Sequence, residues 1–233
     1  KHFNRFFRSP FFSQLIRNTL YLSLYGLFIG FPLPVLLALG LNQVRSLGFK
    51  KTVQTVTYAP YFISTVVLVG FINQFLKMMG KESVLFMGAA RYWRHIYVWS
   101  GIWQGMGWSA IIYIAALSGV DPVLYEAAII DGATKLQRII YIDLPSIAPT
   151  IVITFILSAG SIMGIGFEKA FLMQNPLNAS VSEIIPTYVY KVGLISGEYG
   201  FSTAVGLFNS VINCVLLLTV NKIARRFGQS SIW

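Results

Sequence analysis

Between Glu126 and Pro145 the chain reads Glu126-Ala127-Ala128, then Gly132 after three residues, then Ile142-Asp143-Leu144-Pro145 after nine more. The segment around these residues is polar, with Asp121, Asp131, Lys135 and Arg138 close by. On either side, stretches 95–120 and 144–167 hold no charged residue. A polar, folded module set between two such stretches interrupts a membrane protein, and it is where a partner would grip.

Three more stretches share the same lack of charge. The chain carries 18 basic and 8 acidic residues, and all of them avoid 18–44, 52–76, 95–120, 144–167 and 199–221. These runs are 27, 25, 26, 24 and 23 residues long. A hydrocarbon core about 30 Å thick is crossed by roughly 20 apolar residues in helix, so each run can span with some surplus. Backbone groups in lipid must be satisfied internally, and continuous apolarity without alternation argues for helices rather than a barrel. A soluble helical core is a poor fit, because five such runs in 233 residues leave almost no polar surface. The sequence therefore predicts an all-α polytopic membrane protein, one transmembrane domain over 1–233. Spans are expected at about 13–42, 54–76, 95–118, 146–168 and 201–221.

Pro32 and Pro34 should kink the first span, and Pro60 lies near the start of the second. Residues 1–17 lack the long apolar region of a signal peptide and mix Phe3, Arg5, Phe6, Phe7, Arg8, Phe11 and Phe12, the composition of an interfacial segment. Trp93 and Trp99 read as interface anchors. Glu168, at the end of the fourth span, reads as a structural tie, and 170–200 equally as a loop that meets a protein partner or as an ordinary exterior loop. The net charge of +10 comes from Lys and Arg flanking the apolar runs, as anionic headgroups favour; no basic cluster suits nucleic acid. Cys214 is alone in an apolar run and reads as a small buried hydrophobe. His2 and His95, the two histidines, do not suggest a metal site. Charge asymmetry does not orient the chain. Eight basic residues (Arg45, Lys50, Lys51, Lys135, Arg138, Lys222, Arg225, Arg226) share the module's side, and ten, including Lys1 and Lys81, lie opposite.

Within the module, Asp121-Pro122 starts a helix, with Asp as the cap and Pro at the first helical position. Gly132 suits the left-handed residue that ends it. Thr134 caps a second short helix, in which Leu136, Ile139 and Ile140 recur at helical spacing. Leu144-Pro145 should end that helix, because the residue before proline disfavours α. Four acidic residues (Asp121, Glu126, Asp131, Asp143) face two basic ones. Helices that lie on lipid usually carry basic polar faces, so an acidic module points to a protein partner.

The spacing Glu-Ala-Ala, three residues, Gly, nine residues, Ile-x-Leu-Pro resembles the EAA loop of binding-protein-dependent ABC importer permeases, matching at every position. The stretches 166–169, 171–176, 188–191 and 203–210 look like the subgroup that imports complex oligosaccharides and polysaccharide fragments. The resemblance implies six core helices, with one expected upstream of Lys1. It also implies a bacterial cytoplasmic membrane location, with the coupling loop (119–145) and the C-terminus on the cytoplasmic side. Implied partners are a second homologous permease (a heterodimer), two cytoplasmic ATPase subunits and an extracytoplasmic solute-binding protein. ATPase coupling would fall to Glu126, Ala127, Ala128, Asp131, Gly132, Ile142, Leu144 and Pro145. The chain has no G-x-x-x-x-G-K-[ST], so no cofactor is expected in this subunit, and ATP and Mg belong to the partner ATPases.

A sugar path needs hydrogen-bonding groups and aromatic faces at membrane depth. Candidates are Asn73, Gln74, Trp103, Gln104, Trp108, Asn209 and Asn213, each of which also fits as polar glue or packing between helices. Rival readings are an importer permease for another solute and an ATP-independent channel. A membrane-embedded enzyme is not supported, since the charge-free runs offer no acid pair or nucleophile–base set.

Overall fold

The computed structural model describes residues 2–80 and 87–226; Lys1 and Lys81 lie outside them. Among the described residues every regular element is helical. The first span is α2 (Phe12–Gly30) running into α3 (Pro32–Asn42), 31 residues in all. Phe31 keeps helical dihedrals, and Pro32 takes the first position of α3, where its missing N–H leaves one fewer donor unsatisfied. The helix α6 (Ala90–Ser118) is the central post, packing against α2, α3 and α4 (Leu47–Tyr58).

The second span is not one helix. A 3₁₀ turn, Ala59–Phe62, and the extended residue Ile63 separate α4 from α5 (Thr65–Met78), and the two helices are bent by 103°. Pro60 ends α4, and Ser64 starts α5 by accepting from Val67 N–H at 3.3 Å. A break at this depth would strand backbone groups, at a cost of several kcal/mol each. Gln104 meets that need: its amide donates to the Ile63 carbonyl at 2.8 Å. Trp108 stacks on Tyr61 at 4.5 Å between ring centres. Gly107 lets the two backbones touch, since a Cβ there would stand 2.1 Å from the Thr57 carbonyl oxygen.

The fourth span also differs from its expected limits. Leu144-Pro145 does not end a helix. The turn α8 (Lys135–Arg138), a π turn at Ile139–Asp143 and α9 (Leu144–Gly160) form one helix of 26 residues. The Leu144 N–H reaches back five residues to the Ile139 carbonyl, and this wider turn makes room for the proline ring. The span then stops at Gly160, short of Glu168. Asn209 and Asn213, on α13 (Tyr199–Arg226), hold the following turn: Asn209 donates to the Met163 carbonyl at 3.0 Å and Asn213 accepts from Met163 N–H at 2.9 Å. Gly160 lies where a Cβ would meet Leu217 of α13 at 2.6 Å, so this helix pair is close-packed too.

The segment expected as an exterior loop is folded into α10 (Phe167–Met173), α11 (Ala179–Ser182), α12 (Ile185–Tyr190) and a π turn at Lys191–Ile195. Buried groups of the spans anchor it. Asn18 donates to the Ser180 and Glu183 carbonyls at 2.9 and 3.0 Å, and Thr19 accepts from Ile185 N–H at 3.1 Å. Trp93 is fully buried and donates to the Met173 carbonyl at 3.0 Å, so it is a core residue and not an interface anchor. Trp99, half exposed, donates to the Tyr25 hydroxyl. The N-terminal segment is likewise internal in part. Phe6 of α1 (His2–Phe7) is fully buried and meets Phe12 and Phe208 edge-on, while Arg5 pairs with Glu198.

Candidate coupling site and intramembrane cavity

The coupling module is built from local turn chemistry. Asp121 accepts from Val123 N–H at 3.0 Å and Pro122 opens α7 (Pro122–Ile130), which stands bent by 73° from α6. Gly132 takes φ 75° and ends α7. Two bonds close the end: Ala133 N–H to the Ala128 carbonyl at 2.8 Å, and Gly132 N–H to the Ile129 carbonyl at 3.1 Å. Thr134 and Gln137 then form a reciprocal capping box that opens α8.

The face α7 presents is half apolar and half acidic. Glu126, Ala127, Asp131 and Gly132 are exposed, and Ile130 is 85 % exposed with Val123 and Ile129 beside it. Ala128 is half-buried, so the alanine pair divides between the open face and the body of the protein. Ile142 and Leu144 are half-buried and Pro145 is exposed; Leu144 packs against the core around Tyr113 and Ile147. These residues anchor the module, while Glu126, Ala127, Ile130 and Asp131 form its open face.

One position that holds the module in place was missed by the sequence reading. Asp143 is fully buried. Its carboxylate accepts from the Tyr125 hydroxyl, from Asn42 at 3.2 Å and from Gln43 at 2.8 Å. This knot ties α7, the end of the first span and the π turn of the fourth at one point. The Tyr125 phenol is pushed up to about 12, by desolvation first and by its bond to the Asp143 carboxylate second, so it remains a donor at neutral pH. The available signal was a lone acid in the apolar run Ile139–Leu144, which demands buried donors.

The seven substrate-path candidates do not converge. Gln104 and Trp108 hold the break in the second span, and Asn209 and Asn213 hold the turn after the fourth. Asn73 is half-buried, and Gln74 and Trp103 are exposed. A cavity of about 690 Å³ lies elsewhere, between the first span, α6 and α9. Its wall carries Ser23, Ser109, Tyr113, Thr154 and Ser158 among apolar residues, with Lys169 at one end. Glu168, expected to be a tie, is exposed; the buried neighbour Lys169 makes the connection instead, donating to the Tyr97 carbonyl at 2.7 Å.

Comparison with known proteins agrees with this architecture. The chain is 43% identical over 244 residues to the polygalacturonan/rhamnogalacturonan transport system permease protein YteP of Bacillus subtilis (strain 168), covering 100% of this chain and 76% of that protein. A crystal structure of a bacterial alginate ABC transporter, in complex with an alginate pentasaccharide-bound periplasmic protein, matches with a TM-score of 0.92 at 39% identity, over 100% of this chain and 84% of that one. A second, of a bacterial ABC transporter involved in the import of the acidic polysaccharide alginate, matches with a TM-score of 0.90 at 40% identity, over 97% of this chain and 82% of that one. With residues 30–229 matching its model, the chain belongs to the family of binding-protein-dependent transport system inner membrane components, which makes it a membrane permease and not an enzyme.

Proposed function

We propose that this chain is the permease subunit of an ATP-driven importer that passes oligosaccharides or polysaccharide fragments from a solute-binding protein into the cytoplasm. The observation that carries the proposal is the exposed apolar and acidic face of α7, fixed at 73° to α6 by a fully buried carboxylate. Such a face suits a groove in a cytoplasmic ATPase. Glu126 meets a basic residue there, Ala127 permits close approach, and Gly132 sets the bend. A second homologous permease, different from this one, completes the membrane unit, and two ATPase subunits bind ATP and Mg. Closure of the ATPases moves α7, and the spans behind it switch between inward- and outward-open packings. The coupling loop and the C-terminal end of α13 are cytoplasmic, and the segment Phe167–Ile195 meets the solute-binding protein outside. The substrate class is supported by the relatives, one named for polygalacturonan and rhamnogalacturonan and one involved in importing an acidic polysaccharide.

Cysteine crosslinking from Ile130 tests the assembly, and a crosslinked ATPase subunit is the expected product. Glu126→Lys should abolish uptake while membrane insertion and yield stay normal. Crosslinks that reach only extracytoplasmic proteins, or full uptake by Glu126→Lys, would remove the proposal. Uptake that persists without ATPase subunits would favour a channel.

A further inference from the structure

Lys169 is nine-tenths buried and lies on the wall of the 690 Å³ cavity. Its ammonium donates to the Tyr97 carbonyl and sits 4.8 Å from the centre of the Tyr97 ring. An ammonium has three N–H groups, so two are left over. Among the described residues the ion pairs are Arg5–Glu198 and Lys191–Glu183; neither involves Lys169, and the adjacent Glu168 is exposed. A tie to one carbonyl could be made by a neutral amide, without the cost of desolvating a charge. A cation buried in the protein without a counter-ion marks a place where an anion is expected.

The surroundings suit a sugar as well as an anion. Thr154, Ser158 and Ser161 donate to carbonyls one turn back, and the Tyr113 hydroxyl takes one acceptor position on Thr154 at 2.8 Å; the lone pairs that remain are acceptors for sugar hydroxyls. Ser109, Ile112 and Leu157 on the wall are exposed, so the cavity opens at the surface of the chain. Its volume falls in the range of about 300–1,000 Å³ common for small-molecule sites. Gly101 clears the space for the ammonium, since a Cβ there would stand 3.1 Å from Nζ.

We propose that Lys169 is a carboxylate-binding subsite within this cavity, and that the saccharides this subunit handles carry uronate groups. The proposal rests on the oligosaccharide reading above and narrows it to acidic sugars. The test is equilibrium binding of trigalacturonate, and of its carboxyl-reduced neutral counterpart, to the purified permease–ATPase complex. The solute-binding protein is omitted so that its own preference does not enter. The wild type should bind the acid at least tenfold more tightly. Lys169→Gln should erase that preference with neutral-sugar binding unchanged, and Lys169→Arg should keep most of it. Equal wild-type affinities would overturn the proposal even where Lys169→Gln fails to assemble. So would a preference that survives Lys169→Gln, or equal weakening of both sugars. Competition by inorganic phosphate as strong as that by free galacturonate would also overturn it, by showing a general anion site. If the complete importer takes up neutral oligosaccharides but these results fail, only the subsite is lost. If it takes up no saccharide at all, the oligosaccharide reading itself is lost.

Discussion

Asp143 sets the energetics of the coupling module. A carboxylate removed from water without an ion pair is costly, and here three neutral donors from two other parts of the chain stabilise it. Removing one donor should therefore be more damaging than an average surface change. Tyr125→Phe is expected to destabilise the complex by about 1.5–3 kcal/mol, the usual value of a hydrogen bond to a charged group. Thermal unfolding in detergent would read this, together with faster proteolysis between Pro122 and Arg138. The same wild-type and variant stability would mean that Tyr125 does not hold the carboxylate. Gly132→Ala should cost about 1–2 kcal/mol, since a Cβ is disfavoured in the left-handed conformation. At this scale the sequence was readable wherever the chemistry was local. Asp121, Gly132 and Thr134 each act within a few residues, and spacing reveals them. Asp143 was missed because Asn42 and Gln43 lie about a hundred residues away.

Among the helices, the apolar runs were readable and their breaks were not. Hydropathy measures whether a segment prefers lipid, and 52–76 prefers it along its whole length despite the 103° bend. Pro60 and Ser64 carried a local signal, but only α6 could reveal that the bend is supported by Gln104 and Trp108. These two residues looked equally suitable for sugar contact, because a side chain that satisfies exposed backbone has the same chemistry as one that binds a hydroxyl. Gly107→Ala should force α4 off α6, costing at least about 3 kcal/mol, the upper end of common overpacking penalties. Reduced expression and a lower melting temperature would show it. Gln104→Leu keeps the volume roughly constant and should lower the melting temperature by less, through the unsatisfied Ile63 carbonyl.

For the molecule as a whole, the all-helical membrane class could be read from charge placement, while the number of spans, three among the described residues or five if each bent pair is one, could not; nor could orientation, since the basic residues divide almost evenly between the two sides. Cys214 was read as buried, yet the structure exposes it on α13, beside Val211, Val215 and Leu218. That face is apolar, so it should be sheltered by lipid or by another subunit. A membrane-impermeant maleimide should leave Cys214 unlabelled in sealed membranes and label it after denaturation. Equal labelling in both would place this side of α13 in water. The π turn, finally, gives the fourth span a mechanical property. Because Lys135–Gly160 is continuous, a shove delivered beside Gly132 would travel along one helix of 26 residues, roughly 39 Å at the usual helical rise, with the π turn and Pro149 as the two places where it can flex. The far tip of that helix is the turn clasped by Asn209 and Asn213, so a stroke applied beside Gly132 would be delivered, a whole span away, to α13.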